Sequence, residues 1–561
     1  MIAMHDLQPN ELQERIVKLR RDGEERAAER LAAQLGLSYA NLATVPVSLD
    51  AVRAVPEEDA RNAKAVAIEI KGTKIALGVV NPSLETAKKV VSDLEGKKYS
   101  VKQVVISPSS LEAALRFYQF VRPEAEAITG TVKISKDRLE DLRKRLSSTD
   151  AIGKEIASHD PARISPVALI EIILAGALGM RASDVHTEAE EKKAKIRFRI
   201  DGLLHDIFDG LPLETYRAFV SRIKLLSGLK LNVRDAAQDG RFTIELGGKE
   251  VEMRVSVIPA EFGETIVMRI LDPSATTVAI ADLGLRPDSL DIVKRQLARP
   301  NGLILNTGPT GSGKTTTLYA FLRTINKPEI KIITLEDPIE YRIEGIEQTQ
   351  VDGESGYTFA NGLRAIVRQD PDVILVGEVR DLDTADIALQ AALTGHLVLS
   401  TLHTNDAVGA VPRLINLGVK PVSIGPALSL VIAQRLVRVL CKTCKKKKTP
   451  DAALEAKIKN FLARLPKRVD KSPFQAYEMY EAVGCGECGG LGYKGRIGIF
   501  EFLEGGPELE KTILKEASEV ALRELADRQE MVTMQQDGIL KVLQGITTWS
   551  EVEDVTGEIA W

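Results

Sequence analysis

The segment GPTGSGKTTT, residues 308–317, fits the phosphate-binding pattern G-x-x-x-x-G-K-[ST] without a gap. The apolar run GLILNT precedes it and KTTTLYAFLRTI follows with helical spacing, so the sequence predicts a strand, a glycine loop and a helix. The backbone N–H groups of residues 311–315 would then point at a β-phosphate. Lys314 would bridge the β- and γ-phosphates of ATP, and the Thr315 hydroxyl would be a ligand of Mg²⁺. The predicted nucleotide-binding residues are Gly308, Pro309, Thr310, Gly311, Ser312, Gly313, Lys314, Thr315 and Thr316.

Three further apolar segments end in polar residues that suit ATP hydrolysis. KIITL runs into Glu336, VILV into Gly377-Glu378, and LVLSTL into His403. In a parallel α/β sheet ligands lie outside the carboxyl ends of the strands, so we expect these residues and the glycine loop to share one crevice. Glu378 is the end-of-strand acid of a Walker B segment, and Glu336 is the better candidate to polarise water, although either carboxylate can serve. His403 is a candidate contact of the γ-phosphate.

The four cysteines form two pairs, Cys441/Cys444 and Cys485/Cys488, with forty residues between the pairs. Two C-x2-C pairs can present four thiolates to one tetrahedral metal, which favours a closed structural Zn²⁺ site over a catalytic one. Reduced, inert thiols and redox pairs are the alternatives, although disulfides are uncommon in the cytosol.

Composition excludes several other classes of protein. Lys and Arg total 75 against 79 acidic residues, so a net charge of −4 gives no general attraction for nucleic acid or anionic lipid. Aromatic residues are 4% of the chain, which leaves few side chains for base stacking, and we expect no nucleic-acid partner. The most apolar stretches, 166–180 and 423–433, are shorter than the roughly 18 to 20 residues of a membrane span. The N-terminus lacks a secretory signal, so we expect a cytoplasmic location.

Two smaller α/β units precede the glycine loop. The first reaches about residue 120 and contains a hairpin of AVAIEI and KIALGVV around a Lys-Gly turn. Polar sequence follows over 122–161, and the second unit, 162–272, contains RFTIEL and KEVEMRV around Gly247-Gly248. Counting outward from that turn places Arg241 opposite Arg254. Two like charges across a ladder are unfavourable unless an anion lies between them or solvent screens both.

Four motifs resemble, in order and spacing, the Walker A, Asp box, Walker B and His box of the type II secretion and type IV pilus ATPases, the GspE/PilB group. They are GPTGSGKTTTLYA, TLEDPIEY, RQDPDVILVGEVRD and ALTGHLVLSTLHTNDA. The resemblance covers about residues 160–500, includes the tetracysteine module, and is faint before residue 125. It implies a RecA-like P-loop core, a PAS-like second domain that closes over the nucleotide, and a ring-shaped homohexamer.

The resemblance also implies a function and a partner. The chain would be a cytoplasmic ATPase, peripheral to the inner membrane, that powers assembly of a type IV pilus or a type II secretion pseudopilus through an inner-membrane platform protein. Two other functions stay open: a nucleic-acid-translocating hexameric ATPase, and a scaffold that binds nucleotide without turnover. Intact Lys314, Glu336 and Glu378 argue against the scaffold.

The resemblance also implies a role for arginines of the segment 162–272. Arg254 and Arg269 match family arginines that reach the triphosphate, and Arg241 lies beside them by the hairpin count. A cation brought to the γ-phosphate by domain closure would stabilise charge that develops in the transition state. A salt bridge alone is the alternative. Further arginines match inter-domain or neighbouring-subunit contacts of the family, with a surface ion pair as the alternative: Arg364, Arg368, Arg380 and Arg413.

The N-terminal unit departs from some pilus-extension ATPases, whose repeats bind a cyclic dinucleotide. Only one degenerate copy is present, RLAAQLGLSYANL at 30–42, so we do not expect that ligand. A short helical N-terminal domain suits docking to the cytoplasmic tail of a membrane protein. The expected multidomain α/β chain comprises an N-terminal docking domain (1–121), a linker (122–161), the second domain (162–272), the ATPase domain (273–440), a zinc module (441–500) and a C-terminal helical region (501–561).

Overall fold

The structure, a computed structural model, describes residues 9–42, 44–45, 47–52, 54–71, 74–96, 99–119, 131–134, 138, 141–142, 145–246, 249–271, 278–353 and 355–561. The chain divides into two compact units, Met1–Thr129 and Gly130–Trp561. Within the described ranges no helix has both the length and the apolar character needed to cross a membrane.

The first unit is built on a four-stranded sheet. Its elements are α1 (Pro9–Leu35), β1 (Ser38–Tyr39), α2 (Leu49–Val52), α3 (Glu57–Ala63), β2 (Ala65–Lys71), β3 (Lys74–Val79), α4 (Glu85–Gly96), β4 (Ser100–Val105) and α5 (Pro108–Leu115). The strand order is β1-β4-β3-β2, with β2 antiparallel to β3 and the other neighbours parallel. The sequence hairpin is therefore present as β2 and β3, while Gly72 of its turn lies outside the described residues.

The second unit begins with a seven-stranded sheet that has helices on one face. Its elements are β5 (Thr131–Ile134), α6 (Thr149–Ser158), α7 (Pro166–Gly179), β6 (Ala182–Ala189), β7 (Ala194–Ile200), β8 (Leu203–Leu211), α8 (Leu213–Leu226), β9 (Gln238–Leu246), β10 (Lys249–Ala260) and β11 (Gly263–Leu271). The strand order is β5-β9-β10-β11-β6-β7-β8. Ile196 and Phe198 of β7 are buried with the helices, so the alternating Arg197 and Arg199 lie on the other face.

Part of the expected linker, 122–161, contributes to this domain. β5 pairs in parallel with β9 at the edge of the sheet. In α6, Ile152 and Ile156 are fully buried in the same core as the sheet residues. These two apolar side chains are spaced four residues apart within a polar segment, and they bury on one helix face because the core offers them contacts. The segment is therefore more than a connection between domains.

A second seven-stranded sheet forms the centre of the remaining chain. Its elements are α9 (Pro287–Leu297), β12 (Gly302–Thr307), α10 (Lys314–Ile325), β13 (Ile332–Glu336), β14 (Glu347–Gln350), α11 (Phe359–Ile366), β15 (Val373–Val376), α12 (Leu382–Leu393), β16 (Leu397–Leu402), α13 (Ala410–Asn416), α14 (Pro421–Ala427) and β17 (Leu428–Leu440). Leu305 and Ile304, adjacent on β12, belong to separate apolar clusters. Both faces of the sheet are therefore covered, as expected for parallel strands that read as continuous apolar runs.

The cysteine segment lies between two long paired strands. The last elements are β18 (Lys446–Lys448), α15 (Ala452–Arg464), β19 (Met479–Glu481), β20 (Tyr493–Glu504), α16 (Pro507–Lys515), α17 (Glu519–Arg528), α18 (Met534–Leu543) and α19 (Trp549–Thr556). The central sheet has the order β14-β13-β15-β16-β12-β17-β20, and only the β17–β20 pair is antiparallel. The long gap between the cysteine pairs holds β18, α15 and β19. The sequence-based boundary at 500/501 falls inside β20, because that strand continues its pairing with β17 into the central sheet.

Candidate nucleotide site and metal centre

The four motifs lie at one edge of the central sheet. β13, β15, β16 and β12 are consecutive neighbours and all parallel, so their carboxyl ends are side by side. Thr307, the last residue of β12, is joined to the segment after β16, where its hydroxyl oxygen lies 2.7 Å from that of Thr404 and accepts the Thr404 N–H at 2.8 Å. The strand order thus brings the four motifs to one edge of the sheet, the arrangement that the sequence predicts.

The glycine loop is closed by its own lysine. The ammonium group of Lys314 donates to the carbonyl oxygens of Gly308, at 2.8 Å, and Pro309, at 3.0 Å. Lys314 is 9% exposed, and burial lowers the pKa of its ammonium group while the Glu378 carboxylate acts in the opposite direction. Gly313 has a φ of 89°, in the left-handed region that favours glycine. The cation is therefore held at the loop by two carbonyl groups of the same turn.

The hydroxyl-bearing residues after the lysine begin α10. Thr315 is exposed and Thr316 is half-buried, both in the first turn of the helix. A threonine hydroxyl in this position offers the hard oxygen ligand that Mg²⁺ prefers. Thr315 therefore suits the Mg²⁺ role predicted for it.

The two candidate carboxylates have different surroundings. Glu336, 3% exposed, accepts hydrogen bonds from the Tyr319 hydroxyl, the Thr334 hydroxyl at 2.6 Å and the Gln348 side-chain amide at 3.2 Å. Burial, together with the Glu336 carboxylate, raises the pKa of Tyr319, so Tyr319 stays a neutral donor. With three donors on a buried carboxylate, Glu336 is better suited to hold the local structure than to bind water.

Glu378 instead lies among charged and titratable groups. Its carboxylate oxygens are 2.5 Å from Arg380 Nη2 and 3.6 Å from His403 Nε2. Burial lowers the pKa of His403, and the Lys314 ammonium acts in the same direction. Lys314, Glu378, Arg380 and His403 thus form one electrostatic cluster at the sheet edge, in which the Glu378 carboxylate acts on the cation of the glycine loop.

The arginines of the second domain form a row across its sheet. Arg254 on β10 lies opposite both Arg241 on β9 and Arg269 on β11, so the pairing of Arg241 with Arg254 agrees with the hairpin count, although Gly247-Gly248 lies outside the described residues. Next in the row, Asp184 on β6 accepts from Arg269 Nε at 2.9 Å. Glu252, on the same face of β10, lies 3.8 Å from Arg254 Nε, so Arg254 and Arg269 each have a carboxylate partner.

This arginine row faces the segment that follows β13. Arg254 Nη2 donates to the Ile339 carbonyl oxygen at 2.8 Å, and Nη1 lies 3.9 Å from a Glu340 carboxylate oxygen. The Glu340 carboxylate also raises the pKa of Arg269, after the larger effect of its hydrogen bond to Asp184. Arg241 is exposed. Arg254 therefore contacts the Asp-box segment directly, and Arg269 lies close enough to respond to the Glu340 carboxylate.

The four arginines that match family contacts lie at the surface, and of these Arg380 is the partner of Glu378. Arg364, Arg368, Arg380 and Arg413 are all exposed. Arg364 lies 3.8 Å from the Asp383 carboxylate, which agrees with the alternative of a surface ion pair. His396 lies away from the crevice, where its Nδ1 is 3.0 Å from the Ala391 carbonyl oxygen near the end of α12.

The four cysteine sulfurs form a compact cluster. The Sγ atoms lie within 4.8 Å of one another, with Cys441 3.9 Å from Cys485, and Cys488 3.8 Å from both Cys444 and Cys485. Sulfurs bound at about 2.3 Å to a tetrahedral zinc lie about 3.8 Å apart. The Gly484 N–H also donates to the Cys444 sulfur at 3.3 Å, and the Gly492 N–H to the Cys488 sulfur at 3.2 Å. The geometry and the donor type both fit one Zn²⁺.

Sequence reasoning missed three residues that hold the site. Asp184 binds Arg269, and Tyr319 and Gln348 bind Glu336. Each is a polar residue within an otherwise regular strand or helix, at a position that is buried or half-buried. That signal does not identify a partner, because the pairs lie 12 to 85 residues apart in the chain.

Comparison with known proteins agrees with this architecture. Residues 160–554 match the family described as type II/IV secretion system protein, and residues 35–122 match the MshEN domain. The type IV pilus assembly ATPase PilB of Myxococcus xanthus is 38% identical over 531 residues, which cover 94% of this chain and 90% of that protein. The type II secretion system ATPase E of Vibrio cholerae is 42% identical over 462 residues, covering 82% and 88%.

A solved structure supports the fold alone. The ATPase DotB of Legionella pneumophila has a TM-score of 0.51 and 23% identity, and the match covers 71% of this chain and 97% of that one. The MshEN match was not anticipated, because the sequence before residue 125 shows only a faint resemblance; the expectation that no cyclic dinucleotide binds stays a prediction. With a family match over most of its length and these relatives, the chain belongs to the type II/IV secretion system protein family and is a pilus or secretion ATPase.

Proposed function

We propose that this protein is a hexameric ATPase that powers assembly of a type IV pilus or a secretion pseudopilus through an inner-membrane platform protein. The observation that carries the proposal is the row of Arg241, Arg254 and Arg269 on a sheet separate from the one that carries the glycine loop, with Arg254 in contact with the Asp-box segment. Cations on a second domain give triphosphate a means of pulling two bodies together. A site that only bound nucleotide would need the glycine loop alone.

In the proposed cycle, the glycine loop holds the phosphates of ATP. Lys314 exchanges the carbonyl oxygens of Gly308 and Pro309 for β- and γ-phosphate oxygens, and the loop N–H groups complete the cradle. The Thr315 hydroxyl would be a ligand of Mg²⁺, which would supply positive charge to the phosphates. The Thr307–Thr404 link keeps the loop and the His403 segment in register during this exchange.

We assign the water-orienting role to Glu378. Its carboxylate is near Lys314 and 3.6 Å from His403 Nε2, whereas the Glu336 carboxylate is already bound by three donors. His403 would contact the γ-phosphate, and its lowered pKa favours a neutral ring that can exchange a hydrogen bond when the phosphate leaves. Glu336 would support the crevice wall through Tyr319.

Arg254 and Arg269 would supply the mechanical step. On closure they exchange Ile339, Glu340 and Asp184 for γ-phosphate oxygens, which stabilises the charge of the transition state. Loss of the γ-phosphate removes the contact that favours the closed form, so the second domain returns. Arg241, in the same row, adds positive charge to this face.

The other parts of the chain would transmit this motion. The tetracysteine cluster, with one structural Zn²⁺, would stiffen the segment between β17 and β20. The N-terminal unit would dock to the cytoplasmic tail of a membrane protein, which would keep the protein in the cytoplasm, peripheral to the inner membrane.

Complementation tests this function. A strain that lacks the gene should lose its surface filament or its secreted substrate, and the wild-type chain should restore it while Glu378→Gln should not, with the variant present at equal abundance. Restoration by Glu378→Gln would contradict the proposed motor. If turnover of the purified protein rose strongly with added DNA and the strain kept both filaments and secretion, the nucleic-acid-translocating alternative would be favoured instead.

A further inference from the structure

Gln434 is a buried amide inside the apolar strand β17, directly beside β12. It is 2% exposed, and its Oε1 accepts two hydrogen bonds, from Asn306 Nδ2 at 3.0 Å and from the Thr317 hydroxyl at 2.9 Å. Both donors are fully buried. A polar group at this depth needs its partners, because an unpaired one loses the hydration it had in water.

The two donors stand on opposite sides of the glycine loop. Asn306 is the penultimate residue of β12, just before the loop, and Thr317 lies in the first turn of α10, just after it. One oxygen of Gln434 therefore joins the strand that enters the loop to the helix that leaves it. The spacing between these two elements determines where the loop N–H groups point.

Gln434 also limits the space beneath the loop. A Cβ atom on Gly308 would lie 2.5 Å from the Gln434 carbonyl oxygen, and a Cβ on Gly313 would lie 2.9 Å from its Nε2. The Gly308 approach is to backbone and leaves no room for a side chain, while the Gly313 approach would force the Gln434 amide to shift, so the two glycines rest against this residue. Contact with Gly308, Gly313, Asn306 and Thr317 makes Gln434 the floor of the phosphate cradle.

We propose that Gln434 is a positioning residue for nucleotide binding, which fixes the distance between β12 and α10 and thereby the shape of the glycine loop. The inference rests on the proposed nucleotide site and adds a residue that lies about 120 positions from the loop in the chain. It touches no substrate and acts through Asn306 and Thr317. Preorganisation of this kind lowers the cost of ordering the loop when phosphate binds.

Titration of the full-length protein with a fluorescent ADP analogue tests the inference. Gln434→Met keeps an unbranched chain of similar length but removes the acceptor, and we expect its Kd to rise on the order of tenfold. KM for ATP should rise by a similar factor with a smaller change in kcat. Thr317→Val, which removes one donor, should raise Kd less, and the double variant should bind no more weakly than Gln434→Met because both changes break the same link.

Ser429→Ala is the matched control. Ser429 lies on the same strand, is 2% exposed, and donates to the Leu303 carbonyl oxygen on β12 at 3.0 Å, at the opposite end of β12 from the loop. Its loss should lower Tm as Gln434→Met does, yet leave Kd within about twofold of wild type.

The outcomes separate the inference from the function on which it rests. Wild-type Kd in Gln434→Met, or an equal rise in Ser429→Ala, overturns the positioning role. If Gln434→Met does not fold, Thr317→Val decides the question. An unchanged Kd in Thr317→Val overturns the positioning role. A raised Kd in Thr317→Val supports the role, provided that its Tm falls no further than that of Ser429→Ala. Lys314→Ala serves as the reference: wild-type binding there would refute the nucleotide site itself, whereas lost binding there with wild-type Kd in Gln434→Met refutes only the inference.

Discussion

The glycine loop and the arginine row, the two halves of the proposed nucleotide site, are held in opposite ways. Lys314 is 9% exposed and bonded to two carbonyls of its own loop. The side chains of Arg254 and Arg269 are 30% and 58% exposed, and Arg254 has only long contacts, 3.8 and 3.9 Å, to carboxylates. One half is fixed within the chain, and the other is held by partners that it can leave.

This difference indicates where the switch lies. A cradle that is already shaped costs little to reorganise when phosphate arrives. The ion pairs of Arg254 are long and partly exposed, and such pairs contribute about 0 to 1 kcal/mol, so Arg254 can change partners at little cost. The presence of the γ-phosphate would therefore be sensed mainly by the arginine row. The glycine loop would bind the nucleotide with or without it.

The largest expected effect distinguishes the roles of Glu378 and Glu336, the two carboxylates at the sheet edge that carries the glycine loop. Glu378→Gln should lower kcat by about 10³-fold or more while ADP affinity stays near wild type, because it removes the group that orients water. Glu336→Gln should lower kcat less than about tenfold but lower stability by about 2 kcal/mol, since a buried acceptor of three hydrogen bonds is altered. Steady-state turnover and thermal unfolding of both variants provide the comparison.

The reverse pattern would reassign the roles. Lost turnover in Glu336→Gln with normal Tm, beside active Glu378→Gln, would make Glu336 the water-orienting group and Glu378 an ion-pair partner of Arg380. Lys314→Ala, which should lose nucleotide binding, is the reference variant for both the turnover and the thermal-unfolding measurements.

The local pattern of apolar and polar residues was enough to predict much of the sheet edge that carries the glycine loop. Apolar runs that end at Thr307, Glu336, Glu378 and His403 predict neighbouring parallel strands, because strand ends meet at one edge of such a sheet. The pairing of Arg241 with Arg254 also followed from the sequence, since a two-residue turn fixes the register of a hairpin.

What the sequence could not predict depends on distant contacts. The row extends from Arg269 to Asp184 through the pairing of β11 with β6, which joins residues about 80 positions apart. The burial of Glu336 depends on Tyr319 and Gln348, and no spacing rule indicates which hydroxyl or amide will face a carboxylate. The second-domain elements within 122–161 were hidden by their polar composition, because only two isoleucines carry the buried face of α6.

The second prediction concerns the arginine row. Arg254→Ala should lower kcat about 10²-fold and leave ADP affinity within about threefold, because the cation acts on charge that develops at the γ-phosphate. Arg197→Ala is the control: it lies on the same face of the same sheet and pairs with Glu188 at 2.5 Å. Equal activity loss in both variants would show that the sheet needs its surface charge, and would remove the specific role of Arg254.

The third prediction concerns whether nucleotide binding at the glycine loop depends on the metal. Cys441 follows β17 directly, the strand that also carries Gln434 beside the loop. We expect Cys441→Ser to lose about one zinc per chain by elemental analysis and to lower Tm, with nucleotide Kd unchanged within about twofold, because β17 is held along its length by β12 and β20. Absence of zinc from the freshly reduced wild-type protein would contradict the metal assignment.

The smallest expected effect concerns the restraint on Arg269. Asp184 is 4% exposed and accepts from Arg269 at 2.9 Å, so Asp184→Asn keeps the shape of the contact but removes its charge. If closure requires Arg269 to leave Asp184, a weaker hold favours the closed form, and kcat/KM should rise up to about threefold. Glu188→Gln, which weakens the Arg197 pair, should leave kcat/KM unchanged. A tenfold fall in Asp184→Asn would mean instead that Asp184 aims Arg269 toward the phosphate, and the arginine row would then be a preset half of the site like the glycine loop.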